Sequence, residues 1–347
     1  MKNTIKHIAF AFSIMCLLIT NGNSQENQKL GQTGFQFLSV VSDARAAAMA
    51  EAMTSLQTNS SSLFFNPAGM ARMENFFDIS ISTNQWIADI KHYTLGIALS
   101  PFEGKFGVLG FSAQSVNYGD FYGTRVNSSL PLGYEDSGIF TVSAIALGVG
   151  YAKQISDRFG VGGQVRWIRQ DLGESVIPLN SRPDTTDPNR TLYVADTGRT
   201  SNKLSPFVFD FGTQFRTGIK SLVFGMSVRN FSEEVEFASE GFQAPLVFTL
   251  GISMNVMDFF EIDPQTHLLN VSIDASHYRD HPEQVKVGLE YRLMNMLALR
   301  GGYISNNDES GTSFGLGVSQ FGLEVDYAYT PFGVFNKVQR LTARFSF

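Results

Sequence analysis

The residues of this 347-residue chain with the richest chemistry are charged, and they gather in its last quarter. Lys286, Glu290 and Arg292 fall at even spacing along one run, Arg300 follows, Glu324 and Asp326 come next, and Arg340 and Arg344 stand near the end. Opposite charges at even spacing on neighbouring strands can brace a wall through ion pairs, or line a polar conduit for a small solute. The spacing fits both. His277 and His281 are four apart, with Asp274 and Asp280 nearby. On a helix that spacing converges on a metal; on a strand end it does not, so no metal site is expected. The chain carries no Gly-x-Ser-x-Gly elbow, no His-Glu-x-x-His helix and no phosphate-cradling glycine loop. No catalytic residue or cofactor is expected.

The elements that must carry these charges have a period of two. Leu323, Val325, Tyr327 and Tyr329 share one face, opposed by Glu324 and Asp326. In the last run, Leu341, Ala343, Phe345 and Phe347 oppose Thr342, Arg344 and Ser346. Such a strand lies between two different solvents. If the apolar face meets lipid, the charges face a lumen, because a lipid-facing charge at mid-membrane costs about 2–4 kcal/mol. From Phe76 onward the sequence predicts fourteen strands: 76–87, 91–101, 105–117, 140–154, 158–171, 206–216, 222–231, 246–257, 267–279, 283–293, 296–304, 312–319, 321–330 and 337–347. Most have about the ten residues that a tilted strand needs to cross a bilayer. The fold class expected is therefore all-β, a transmembrane antiparallel barrel over 76–347. Phe345 and Phe347 would serve as the C-terminal signal for barrel assembly machinery, because the last strand must close the ring and an aromatic residue suits the lipid boundary.

The connections sort by parity. Even-to-odd ones are mostly short, as in 101–105, 154–158, 294–295 and 320, whereas the three longest, 118–139, 172–205 and 232–245, are all odd-to-even. Short turns on one rim and long loops on the other is the outer-membrane pattern. It places the chain ends on the short-turn side. The long loops hold Phe121, Tyr122, Tyr134, Leu192, Tyr193, Val194, Phe237 and Phe242. They could grip a protein partner or simply cover the barrel.

The first 24 residues read as an export signal. Lys2 and Lys6 precede an apolar run from Ile8 to Ile19, followed by small and polar residues up to Ser24. That run is too short to span a bilayer. Cys16, the single cysteine, lies within it, so the mature chain would hold no thiol. Cleavage near Ser24 would leave 24 basic and 32 acidic residues, a net charge of −8. With no basic run, nucleic acid is excluded as a partner.

Between the signal and the first strand, residues 25–75 have a different character. Ser42-Asp43 offers a helix N-cap, and Ala46, Met49, Ala50 and Met53 repeat at helical spacing through Gln57. A stretch this rich in alanine could pack inside the barrel as a plug. Asn66-Pro67-Ala68-Gly69 reads as a turn, with extended geometry before proline and a glycine free to take positive φ. It could gate passage or merely turn the chain towards the first strand.

The block from Thr33 to Arg72 resembles the N-terminal region of the PorV/PorQ family. The likeness is carried by Gly34-Phe35, Phe37-Leu38, Ala44-Arg45-Ala46-Ala47 with Met49, and Asn66-Pro67-Ala68-Gly69. Asn117-Tyr118-Gly119, Ala298 to Tyr303, Asp326 to Tyr329 and Phe332-Gly333 extend it along the chain. The resemblance implies a fourteen-stranded outer-membrane barrel of Bacteroidota-type bacteria, plugged at its N-terminus and related to the FadL superfamily. It also implies a role in type IX secretion, binding exported proteins or secretion machinery through external loops. The alternative is FadL-like passage of hydrophobic small molecules. Two departures stand out: Ala50-Glu51 replaces a frequent Gly-Gly pair, and the polar run from Gln57 to Ser62 replaces an acidic patch.

Overall fold

The computed structural model describes residues 32–126, 130–183, 193–237, 240–260, 263, 265–307, 311–335 and 337–347. The export signal expected over 1–24, Cys16 and Leu192 lie outside them. The alternating runs form the strands they predict: β1 (Phe77–Gln85), β2 (Lys91–Leu99), β3 (Val108–Val126), β4 (Tyr134–Gln154) and β5 (Phe159–Pro183). Then come β6 (Tyr193–Leu204), β7 (Phe207–Arg216), β8 (Val223–Phe231) and a small hairpin of β9 (Val235–Phe237) and β10 (Glu240–Phe242). The remainder are β11 (Val247–Asn255), β12 (His267–Tyr278), β13 (Gln284–Leu293), β14 (Leu297–Ile304), β15 (Thr312–Gln320), β16 (Leu323–Pro331) and β17 (Lys337–Ser346).

Every neighbouring pair in the main sheet is antiparallel, and the sheet closes on itself. The ring has fourteen staves, because β6 and β7 share one: both pair with β5, β6 above and β7 below. Closure is made by β17 on β1, in register from Ser346 opposite Asp78 to Gln339 opposite Gln85. Phe347 adds two backbone bonds to Phe77, each 2.9 Å. Closing the ring removes the free strand edges that would otherwise seek a partner.

The alternation sorts side chains as the sequence predicts. Along β17 burial alternates, and Leu341, Phe345 and Phe347 are exposed on the outer face while Thr342 and Arg344 are buried. Leu316, Val318, Leu299, Phe211 and Phe224 continue the outer apolar surface on other strands. An outer surface this apolar belongs in lipid.

Two of the expected long loops are strands instead. β3 runs on to Val126 and β4 begins at Tyr134, so most of 118–139 is a hairpin continuing those staves. Likewise β5 extends to Pro183 against β6, absorbing much of 172–205. Pro178 and Pro183 argue for a loop by sequence, yet a register shift beside Pro178 accommodates it. Above the lipid the alternation is no longer required, so the pattern that marks the lower strands fades there.

Candidate functional site

The N-terminal segment from Thr33 to Met73 crosses the interior of the ring. It enters at the long-loop rim, where Thr33 bridges Gln243 and the Gly34 N–H donates to the Gln243 carbonyl at 3.0 Å. It leaves at the short-turn rim, where the Ser60 N–H donates to Asp78, at the start of β1, at 2.9 Å. The expected start of the segment on the short-turn side falls on residues outside those described; its first described residues lie at the long-loop rim. Asp280, in the β12–β13 connection, accepts bonds from the Thr33 hydroxyl, from Gln36 (2.7 Å) and from its neighbour His281 (2.7 Å). Burial would raise the Asp280 carboxyl, but these bonds win and hold it well below the usual carboxylate range. His277 pairs instead with Glu283, so the two histidines go to different carboxylates.

The expected helix is short. α1 covers only Ala44–Ala48, capped by Asp43, whose carboxylate accepts the Ala46 N–H at 2.8 Å. It stops because Ala50 and Glu51 take φ of 53° and 63°, the left-handed region that favours glycine. These are the two positions where the PorV/PorQ family often carries Gly-Gly. Met49, Ala50 and Met53 are nevertheless fully buried, as their spacing predicts.

The wall makes room for this segment with glycine. A methyl group added at Gly302 would lie 2.4 Å from the Ala50 nitrogen, and one at Gly162 would lie 2.5 Å from the Ala68 nitrogen. Backbone therefore touches backbone across the lumen, on β14 and on β5. At the Asn66 turn, Asn66 is extended as predicted (φ −144°), and its side chain accepts the Ala68 N–H at 3.1 Å. It also donates to the carbonyls of Thr54 (2.7 Å) and Thr213 (3.0 Å), tying the turn to β7. Pro67 opens a single 3-10 turn ending at Met70. Gly69 corrects the expectation of positive φ. Its φ is ordinary, and its role is space, since a Cβ there would meet Ser62 Oγ at 2.4 Å.

Six of the eight lumen charges form one connected network with Arg45 and Asp43 of this segment. Glu290 receives Arg45 through two bonds of 2.8 Å and Arg300 at 2.7 Å, with Arg292 at 3.3 Å. Glu324 takes Arg292 (2.8 Å), Arg300 (2.9 Å) and Arg344 (3.5 Å), while Asp326 takes Arg300. Arg344 also reaches Asp43 at 3.7 Å. Lys286 donates to Glu51 (2.6 Å) and to Tyr278 (2.8 Å). Burial would raise Glu51, but the Lys286 charge and its hydrogen bond hold it below its ordinary value. Arg340 stands apart: it donates to the Val41 carbonyl and Thr330, both at 2.8 Å, and lies over the Trp86 ring.

All eight charges face inward, and four of them, Lys286, Glu290, Arg340 and Arg344, bind the inner segment as well. Sequence reasoning passed over Asp43 and Glu51 as electrostatic partners and read Arg45 only as part of a resemblance. A lone arginine in an alanine run was the available signal. A second polar node on the far wall was also missed: Asp210 accepts Arg166 and Gln164 (2.8 and 2.9 Å) and the Asn230 N–H at 2.7 Å.

Apolar contacts also join segment and wall: one cluster surrounds α1, a second joins Leu63, Met70 and Met73 to Ala98, Val108 and Ala152, and a third lies at the long-loop end. At the long-loop end, Phe35, Phe37 and Leu38 of the segment pack on Val116, Ala144, Ala146, Ile168 and Val208 of β3, β4, β5 and β7. Phe242 of the β9–β10 hairpin covers them, its ring centroid 5.7 Å from that of Phe35. Beside this cluster, a cavity of about 20 Å³ lies between Leu38, Phe65 and Arg229. It has room for about one water.

No family model and no curated protein matches the chain. Solved structures do. A Pseudomonas aeruginosa FadL homologue superposes with a TM-score of 0.55 at 13% identity, covering 88% of this chain and 98% of its own. The Pseudomonas putida toluene transporter TodX matches with a TM-score of 0.55 at 14% identity, covering 91% and 98%. The Ralstonia pickettii toluene transporter TbuX gives 0.54 at 12%, covering 91% and 99%. The chain has the fold of the FadL-type outer-membrane barrels. Its FadL-type ring accounts for the outer apolar surface, the even strand number and the closure at Phe347. The PorV/PorQ branch rests on the sequence resemblance alone.

Proposed function

We propose that this chain passes a small hydrophobic molecule across the outer membrane and is not an enzyme, the reading first held as the alternative. One observation carries it: the apolar cluster around Ile168 and Val208 lies at the long-loop end of the lumen, the end at which a solute from outside would enter. A passage for hydrocarbon needs an apolar entrance, and the barrels it resembles in fold include two toluene transporters. Residues 25–75 act as the plug. With about one water's space beside the cluster, a solute entering there has to displace Phe35, Phe37 or Leu38. The charged network on the other wall keeps the rest of the plug seated. In this reading Lys286, Glu290, Arg292, Arg300, Glu324, Asp326, Arg340 and Arg344 are anchors, and the Asn66 to Gly69 turn is the plug's lower hinge point. Uptake of labelled toluene by cells producing the protein, against cells carrying the empty vector, tests this. Faster uptake is expected; equal rates refute it.

A second reading has its own support. The hairpins β3–β4 and β5–β6 stand above the belt, and the first exposes Tyr122, Leu132 and Ile139. That surface suits an exported protein or secretion machinery, as the PorV/PorQ resemblance implies. Deleting the gene and comparing the secreted proteins decides it: an unchanged set removes this reading. Phe345 and Phe347, on the closing strand, are the contact for assembly machinery, and F347A is expected to lower the amount of folded barrel.

A further inference from the structure

The short-turn rim holds a second cavity, far from the apolar cluster. It measures about 200 Å³ and lies between the N-terminal segment and the wall of β7, β8, β11 and β12. A water occupies about 30 Å³ of liquid, so this space takes roughly six waters, or one small ion with part of its hydration shell. Three arginines line it: Arg45, Arg72 and Arg216.

Their charges are not equally balanced. Arg45 is spent on Glu290. Arg72 has its Nε and Nη2 buried with no hydrogen-bond partner among the described residues, and Arg216 has no ion pair among them. Burial and the nearby Arg216 charge both push the Arg72 guanidinium below its ordinary value. Asp258, the nearby carboxylate, does not line the cavity; it accepts the Ser221 N–H (2.9 Å) and Asn255 (3.0 Å). Gln214 is also committed, donating to the Thr54 and Leu56 carbonyls. Two guanidiniums lining one polar cavity, neither with a carboxylate partner among the described residues, call for an oxyanion that can accept them in pairs.

We propose that this cavity is a binding site for a small oxyanion, a phosphate or carboxylate group, held by Arg72 and Arg216 at the short-turn mouth. The site is separate from the apolar passage and does not depend on it. Its place, where the plug ends before β1, means that a bound anion would bridge plug and wall and relieve the repulsion between the two arginines.

The test is calorimetric titration of the purified full-length mature chain in detergent, in low-salt buffer, with inorganic phosphate and separately with a short-chain phosphatidylglycerol. Saturable binding of one equivalent is expected, at least tenfold weaker in R72Q and in R216Q. Phosphate binding assigns a free anion, and binding of the lipid alone assigns a headgroup; both support the site. R158Q is the control, because Arg158 lies in the neighbouring turn beside Gly218 and does not line the cavity. An equal loss in R158Q would mean diffuse rim charge and overturn the proposal, as would no saturable binding of either probe. Thermal unfolding of each variant checks the fold. Should R72Q fail to fold, R216Q, on an exposed side chain, decides alone.

Discussion

On the side built by β12 to β17, the lumen wall meets the N-terminal segment through charge as well as through the alanines of α1; at the long-loop end of β3 to β7 it meets it mainly through hydrocarbon. Glu290, Arg300 and Glu324 join Asp43 and Arg45 in a buried network that leaves little freedom of position. Phe35, Phe37 and Leu38 lie on Val116, Ile168 and Val208 with no direction demanded by the contact. Hydrocarbon contacts are non-directional, and another apolar group can replace them. A buried ion network cannot be exchanged in that way, since losing one partner strands the others. The contrast assigns holding to one side and yielding to the other.

The largest expected effect breaks the charged side. E290A leaves the buried Arg45 without its carboxylate and removes one partner each from Arg292 and Arg300; it is expected to destabilise the barrel by about 3 kcal/mol, read by thermal unfolding in detergent. A loss under about 1 kcal/mol would mean that the network does not anchor the inner segment. I168A on the apolar side is expected to cost about 2 kcal/mol, the low end for such a truncation, if the inner segment yields there as the proposed function requires and closes on the space. A cost above that for E290A would reverse the assignment.

The entry tether gives a pH-dependent difference. The folded Asp280 carboxyl lies below its unfolded value, so its contribution is full above the ordinary carboxylate range and disappears as pH falls through the lowered one. The stability gap between wild type and D280N is expected at about 1–2 kcal/mol, constant from pH 7 to pH 5 and fading in stronger acid. A gap that closes already between pH 7 and pH 5 would contradict the depressed carboxyl. The smallest effect is a gain. A50G relieves a left-handed alanine at φ 53° and should stabilise by about 1 kcal/mol in the same unfolding measurement. No gain would mean that the turn after α1 carries no strain.

The barrel was legible because lipid enforces alternation. Tyr93, Leu95 and Ile97 had to share a face, and Glu324 and Asp326 had to turn inward. Where the strands leave lipid the constraint ends, so the upper parts of β3 to β6 read as loops. The inner segment was legible only in part. Its composition shows a helix start and a turn, but its partners lie far along the chain: Ala44 bonds Thr342, 298 residues away, at 2.8 Å. No local period announces such pairs. The positive φ at Ala50 and Glu51 was equally hidden, because neither residue is a glycine.

The claim that one side of the lumen yields to an apolar solute is tested most directly by toluene uptake in two same-volume variants. V208T adds a hydroxyl within the apolar cluster; T342V removes one from the charged side, where Thr342 bonds Ala44 and Ser82. With equal amounts of folded protein in the membrane, the account predicts that V208T lowers uptake several-fold and T342V leaves it near the wild-type rate. Unchanged uptake in V208T with a fall in T342V would contradict it.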